Sequence, residues 1–221
     1  LGAAFTKAAK ESVQFAANMQ TVSAKLQGST GATAAEMKKY EAAMQNIYNN
    51  NFGENLEDIA SAMAKVKQYT GELDATELES MTENAMALED VFDMDLSETI
   101  RGVNSLTKNM GITSKQAFDL MAKGAQNGLD KSGELGDNIA EYGQLWAQAG
   151  FSAEEMFAIL QNGLDAGAYN LDKVNDFVKE FAISLSDGRI EENLDSFSDE
   201  TQKLFWAMKN GKATSKDVFY S

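Results

Sequence analysis

Carboxylates are the only abundant side chains here that could do acid–base or metal chemistry: the chain has 34 Asp and Glu, 19 Lys and Arg, no His and no Cys. Without His and Cys there is no serine–histidine or cysteine–histidine catalysis, and no zinc, haem or iron–sulfur site of the usual kinds. No disulfide can form, so no redox compartment can be read. The acidic clusters are Glu57/Asp58, Glu89/Asp90 to Asp95, Glu154/Glu155, Glu191/Glu192 and Asp199/Glu200. Two carboxylates facing each other across a cleft could cleave a glycoside or move protons. Nearly all of these, however, fall at expected helix starts, where they complement the dipole. Asp93-Met94-Asp95-Leu96-Ser97 opens like a calcium loop, but the sixth place holds Glu98 instead of Gly and the twelfth Asn104 instead of Glu. Helix capping accounts better for Asp95. A di-metal carboxylate bundle needs Glu-x-x-His, which is absent. Gly124 to Gly128 and Gly163 to Gly167 read G-x-x-x-G in polar surroundings, which suits helix ends or close helix contacts better than a membrane dimer. Gly133-Glu134-Leu135-Gly136 lacks the pattern of a phosphate-binding loop. The sequence therefore assigns no catalytic, cofactor-binding or metal-ligating residue, and no cofactor. A net charge of −15 argues against a nucleic-acid-binding surface.

The elements that would position any such group are helices. The 221 residues contain 43% apolar residues and no Pro, enough to fold with a sizeable core. Ala, Met, Leu, Glu, Lys and Gln dominate and favour helix, whereas strand-like alternation or Val/Ile runs are missing at useful length. Short polar residues followed three places later by Glu or Gln predict helix starts: Thr33 with Glu36, Asp74 with Glu77, Asp95 with Glu98, Thr113 with Gln116, and Ser152 with Glu155. Gly71, Gly111 and Gly150 stand where helices would stop. Loops are expected at Gly28 to Thr33, Asn49 to Gly53, Asn127 to Gly136 and Ser186 to Glu192. No apolar run approaches the roughly 20 residues of a membrane span, and no signal peptide is visible. The chain starts at Leu1 and ends at Ser221, and it reads as a piece of something longer.

The helix pattern repeats. Leu56, Ala60, Met63 and Val66 lie on one helix face. Their counterparts are Leu96, Ile100, Val103 and Leu106, then Leu135, Ile139, Tyr142 and Leu145, then Val174, Val178 and Phe181, with Ser184 breaking the series. Stop glycines keep step, with Gly188 one place off. Second helices repeat as Leu78 and Met81, Phe118 and Met121, and Phe157 and Leu160. A weaker first copy has Phe15, Met19 and Val22, then Met37, Tyr40, Met44 and Ile47, while Leu204 and Met208 supply a last second helix. Two helices per period of about 40 residues predict stacked helical hairpins that share a core. The expected fold is all-α, α-solenoid-like or an elongated helical bundle. It forms a single helical repeat region over 1–221 with approximate units 10–52, 53–92, 93–131, 132–170 and 171–221. Several of the eleven Met (Met19, Met44, Met63, Met81, Met121) fall on the apolar faces and read as core. Trp146 and Trp206 lie off those faces, either as interface anchors or packed between hairpins.

Extended stretches of this text resemble phage tail tape measure proteins of long non-contractile tails. They run from Tyr48-Asn49-Asn50-Asn51-Phe52-Gly53-Glu54 through Ala87-Leu88-Glu89-Asp90-Val91-Phe92 and include Leu96-Ser97-Glu98-Thr99-Ile100-Arg101-Gly102-Val103-Asn104. The strongest parts are Gly111-Ile112-Thr113, Gln126-Asn127-Gly128-Leu129 and Gly150-Phe151-Ser152-Ala153-Glu154-Glu155-Met156-Phe157. Leu171-Asp172-Lys173-Val174 and Val178-Lys179-Glu180-Phe181 close the likeness, which covers about residues 33 to 190. The resemblance implies a non-enzymatic structural protein of the virion, lying in the tail lumen and assembled in the bacterial cytoplasm. In that family chain length sets tail length, chaperones hold the chain, tube subunits polymerise around it, and its ends meet the tail tip and upper tail. It also implies several copies side by side, release ahead of the DNA, and membrane contact only through other parts of the parent chain. Hairpins about two helix diameters wide would then have to open or rearrange in a narrow tube. The rival readings are a cytoplasmic helical-repeat adaptor, favoured by a sustained basic or aromatic stripe that the sequence does not display, and an acid–base enzyme with a buried carboxylate pair.

Overall fold

The computed structural model describes residues 2–71 and 73–221, with the side chains of residues 2–14 and 16 outside the description. The opening of the first repeat unit, 10–14, therefore lies outside the described side chains. Among the described residues there is no strand, and the chain is all-helical. It divides into two compact units, Leu1–Ile100 and Arg101–Ser221, with the division inside a helix, Leu96–Met110.

In the first unit α1 spans Gly2–Thr30, α2 Ala34–Asn49, α3 Leu56–Thr70 and α4 Ala75–Phe92. Alternate helices lie side by side, α1 with α3 and α2 with α4, while α3 also packs on α2 and α4. That is the arrangement of stacked hairpins. Leu56, Ala60, Met63 and Val66 of α3 and Leu78 and Met81 of α4 are all buried, as the periodicity requires. Met37, Tyr40, Met44 and Ile47 of α2 and Val22 of α1 are buried too, and Phe15 rests against Tyr48 with ring centroids 6.0 Å apart. One expected loop is shorter than Gly28 to Thr33: α1 continues to Thr30, because the hydroxyls of Ser29 and Thr30 donate back to the carbonyl of Leu26. Gly31, at φ +68°, makes the stop.

The Leu96–Met110 helix is α5; the second unit goes on with α6 (Ser114–Gln126), α7 (Leu135–Gln148), α8 (Ala153–Asp165) and α9 (Leu171–Ser186). Three short pieces follow, α10 (Arg189–Glu192), α11 (Asp199–Lys209) and α12 (Ser215–Phe219), with a single 3-10 turn at Leu194–Ser196. Again α6 lies beside α8 and α7 beside α9. The expected loop from Ser186 to Glu192 holds α10 instead, whose carbonyl and amide groups close one turn after Gly188 at φ +96°.

Two apolar places shift by one residue. Tyr142 and Leu145 of α7 are half-buried, while Gly143 and Trp146 face the core. The cause is close helix approach: a Cβ at Gly143 would stand 2.5 Å from Ser105 Oγ of α5. In α9 the buried residue is Leu185 where the series reached Ser184. Leu185 joins Leu194, Phe205 and Val218 in a small core that ties α9 to α11 and α12.

The start signals hold at the atomic level. Thr33, Thr113 and Ser152 form reciprocal capping boxes with Glu36, Gln116 and Glu155. Asp74 and Asp95 accept the amide protons of Glu77 and Glu98 at 2.9 and 2.8 Å. Gly71, Gly111 and Gly150 all take positive φ, which a residue bearing Cβ resists.

Candidate interaction surface

Glu57 and Asp58 stand in the first turn of α3, Glu154 and Glu155 in that of α8, and Asp199 and Glu200 in that of α11. Glu89 and Asp90 do not follow the expectation of a helix start: they end α4, at the wrong pole of its dipole. Partial burial pushes the Glu89 carboxyl above its ordinary range; Lys65 pulls it back, and Asp90, Asp95 and Asp58 push it further up. Asp130 is raised by burial as well, although it accepts the Leu135 amide proton at 2.8 Å. These two groups lie in different units, and neither lines the cleft between α6 and α8. Asp93 closes α4 in the left-handed conformation and Asp95 caps α5. The calcium-like text is thus a helix stop followed by a helix start. Among the described residues no three Asp or Glu are grouped to hold a metal ion, and no helix is long and apolar enough to cross a membrane.

The G-x-x-x-G pairs serve two purposes. Gly124 lies in α6, where a Cβ would come 3.0 Å from Phe157 and 3.2 Å from Leu129 and Leu135. Gly163 of α8 is tighter, with Val174 Cγ2 at 2.5 Å. Their partners Gly128 and Gly167 turn the chain out of the helix at φ +85° and +99°. The Leu129 and Ala168 amides then donate to the Gly124 and Gly163 carbonyls at 2.9 Å, closing the same terminator twice. Outside this contact α6 and α8 leave a cleft of about 320 Å³, with Leu120, Leu129, Phe157 and Ala158 on its walls and Lys123 and Glu154 among its polar residues.

The tryptophans divide. Trp146 is fully buried and anchors a polar chain across α7 and α9: its indole N–H donates to Asn175 Oδ1 at 2.8 Å, and Asn175 Nδ2 donates to Asn138 Oδ1 at 2.7 Å. Trp206 is 48% exposed on α11 beside Phe205. From Trp146 a run of edge-to-face rings leads outward through Phe151 (5.1 Å) and Phe219 (5.5 Å) to Phe181 (5.2 Å), Phe177 (6.0 Å) and Tyr220 (5.3 Å). Phe177 and Tyr220 end it 60% and 59% exposed. α12 is held under this run by the Lys216 amide donating to the Ala149 carbonyl at 2.9 Å and by Lys216 Nζ at Glu155. This aromatic edge on α9 and α12 was not assembled from sequence. Its signals were Phe177 and Phe181 four apart and the Val218-Phe219-Tyr220 run, but 35 residues and three short helices separate α9 from the chain end.

An array of capped helices with an exposed aromatic edge suits packing against other protein. Half of the chain, 112 residues, is 29% identical to the uncharacterized protein YqbO of Bacillus subtilis (strain 168), of which the match covers 7%. The chain thus corresponds to a small part of that relative's length. No solved structure matches. The family model for phage-related minor tail proteins matches residues 46–218, from the last turn of α2 to the penultimate residue of α12. The chain belongs to the phage-related minor tail protein family.

Proposed function

We propose that the chain is a segment of a tail tape measure protein, a structural and non-enzymatic part of the virion that sets tail length. The observation that carries this reading is the family match across 46–218, joined to an all-helical array. In this reading the tail tube protein polymerises around it, assembly chaperones hold it beforehand, the tip proteins meet its ends, and several copies lie together in the lumen. Its charge of −15 keeps it from adhering to the DNA that uses the same channel after it leaves. The exposed aromatic edge favours a second reading, a repeat scaffold that docks protein partners in the tail and does not measure it.

The test is tail length after in-frame deletion of residues 96–134 from the gene. The junction places Asp95 directly before Leu135, so the cap that starts α5 is left to start α7. The deleted 39 residues span roughly 60 Å as helix, at about 1.5 Å per residue. Tails shorter by about that amount support an extended ruler. Tails of normal length that fail to assemble or eject favour the docking scaffold. Virions without the protein overturn both.

A further inference from the structure

The four first helices α3, α5, α7 and α9 share a register, so one helix's neighbours predict another's. Residues 59, 99, 138 and 177 are equivalent, as are 58, 98, 137 and 176. At the first set Ile59, Thr99 and Asn138 are buried, Asn138 beneath Asn175 of the following first helix. Phe177 alone is 60% exposed. Ile183, equivalent to Ser105 of α5, is 39% exposed, while Ser105 is buried and packs against Gly143 of α7. Thus α9 leaves uncovered, at Phe177, the position by which α7 meets the next first helix and, at Ile183, the position by which α5 does. α12 touches this edge through Phe219 but does not cover it.

Charge identifies what fits there. Arg101 of α5 pairs with Asp137 of α7 at 3.1 Å. Two periods after Arg101 stands Lys179, exposed and without a carboxylate at ion-pair distance among the described residues. Its missing partner belongs to the second set, which is acidic every time: Asp58, Glu98, Asp137 and Asp176. We propose that the α9 edge, Phe177, Lys179 and Ile183, docks the first helix of one further hairpin of the same repeat, supplied by the same polypeptide, with a carboxylate of its first turn set against Lys179. The inference stands on helix register and not on the tape measure reading, which survives its failure.

Residues 1–221 have no Cys, so Phe177→Cys gives this segment a single thiol on the edge, followed in both proteins by mass spectrometry of its own peptide, with a side chain no larger than the Thr99 and Asn138 that fit the same position. The experiment compares maleimide alkylation in residues 1–221 and in the complete product of the gene. The thiol should react as an exposed group in the former and about tenfold or more slowly in the latter, because reaction then needs local opening. The slowing should not depend on protein concentration, and Lys179→Glu in the complete polypeptide should return the fast rate by setting like charges together. Equal rates in the two proteins overturn the proposal. So does slowing that grows with concentration, which would mean that a neighbouring molecule covers the edge. Ile183→Cys repeats the test at an independent position, and Trp146 fluorescence, read in residues 1–221 carrying Trp206→Phe, reports that each variant keeps its core.

Discussion

At the residue scale the most consequential side chain is one without any charge. Asn175 is fully buried, accepts the Trp146 indole proton and donates to Asn138. Trp146 and Asn138 are both buried, so truncation strands a donor and an acceptor as well as opening a void. Asn175→Ala should cost about 2–4 kcal/mol, read as a shift in urea midpoint with unchanged slope. Trp206→Phe is the suitable background, since it leaves Trp146 as the sole fluorophore; Trp206 being half-exposed, that change alone should stay within about 0.5 kcal/mol. A loss from Asn175→Ala no larger than that would mean the polar chain is not holding α7 to α9. From sequence Asn175 was invisible, because an Asn beside acidic residues at a helix start reads as surface. Only the hairpin stack, which brings α7 and α9 together, gives it partners.

At the element scale the helices and their ends were legible and their exact faces less so. Caps and stops are local: a Thr or Ser reaches an amide three residues on, and a Gly relieves its own backbone, so Thr33, Thr113, Ser152, Gly71 and Gly111 could be placed without knowing the fold. The slip from Tyr142 and Leu145 to Gly143 and Trp146 was not legible, because it depends on how closely α5 comes to α7. The aromatic edge was missed for a related reason, since its rings come from segments distant in sequence. Local and tertiary causes can be separated by substitution. Thr113→Ala removes one cap and should cost about 1 kcal/mol. Gly163→Ala should cost about 1–3 kcal/mol through overpacking, because its Cβ would stand 2.5 Å from Val174. The pair Gly163→Ala with Val174→Ala should recover part of that loss, whereas Thr113→Ala with Val174→Ala should be additive. Strict additivity in the first pair would show that α8 and α9 are not locked by this contact.

At the scale of the whole molecule the dominant fact is an excess of fifteen negative charges. Self-repulsion of that size opposes compaction, and it is screened by salt: the Debye length falls from about 30 Å at 0.01 M to about 8 Å at 0.15 M. Salt also weakens ion pairs, but pairs on this surface such as Lys115 with Asp119 or Lys173 with Asp176 are largely exposed and contribute roughly 0–1 kcal/mol each. The melting temperature should therefore rise across that salt range. The pH response should have a maximum. As pH falls from neutrality toward the sequence pI of 4.4, net charge and repulsion shrink. The Glu89 carboxyl, whose folded pKa is raised, adds stability in the same direction, because the folded state takes up its proton first. Further acid reverses the trend. The Thr33 hydroxyl and amide hold the Glu36 carboxyl below its ordinary range; the Ser152 amide does so for Glu155, helped by Lys216, and the Thr214 amide for Asp217. Groups with a lowered folded pKa stabilise above the unfolded value, and that contribution is lost as pH falls through the folded one. Thermal melts from pH 8 to pH 3 should thus climb and then drop, and Glu36→Gln with Glu155→Gln should flatten the acid limb while leaving the climb in place. A steady decline from pH 8 downward, or melting lowered by salt, would show that specific ion pairs outweigh the excess charge.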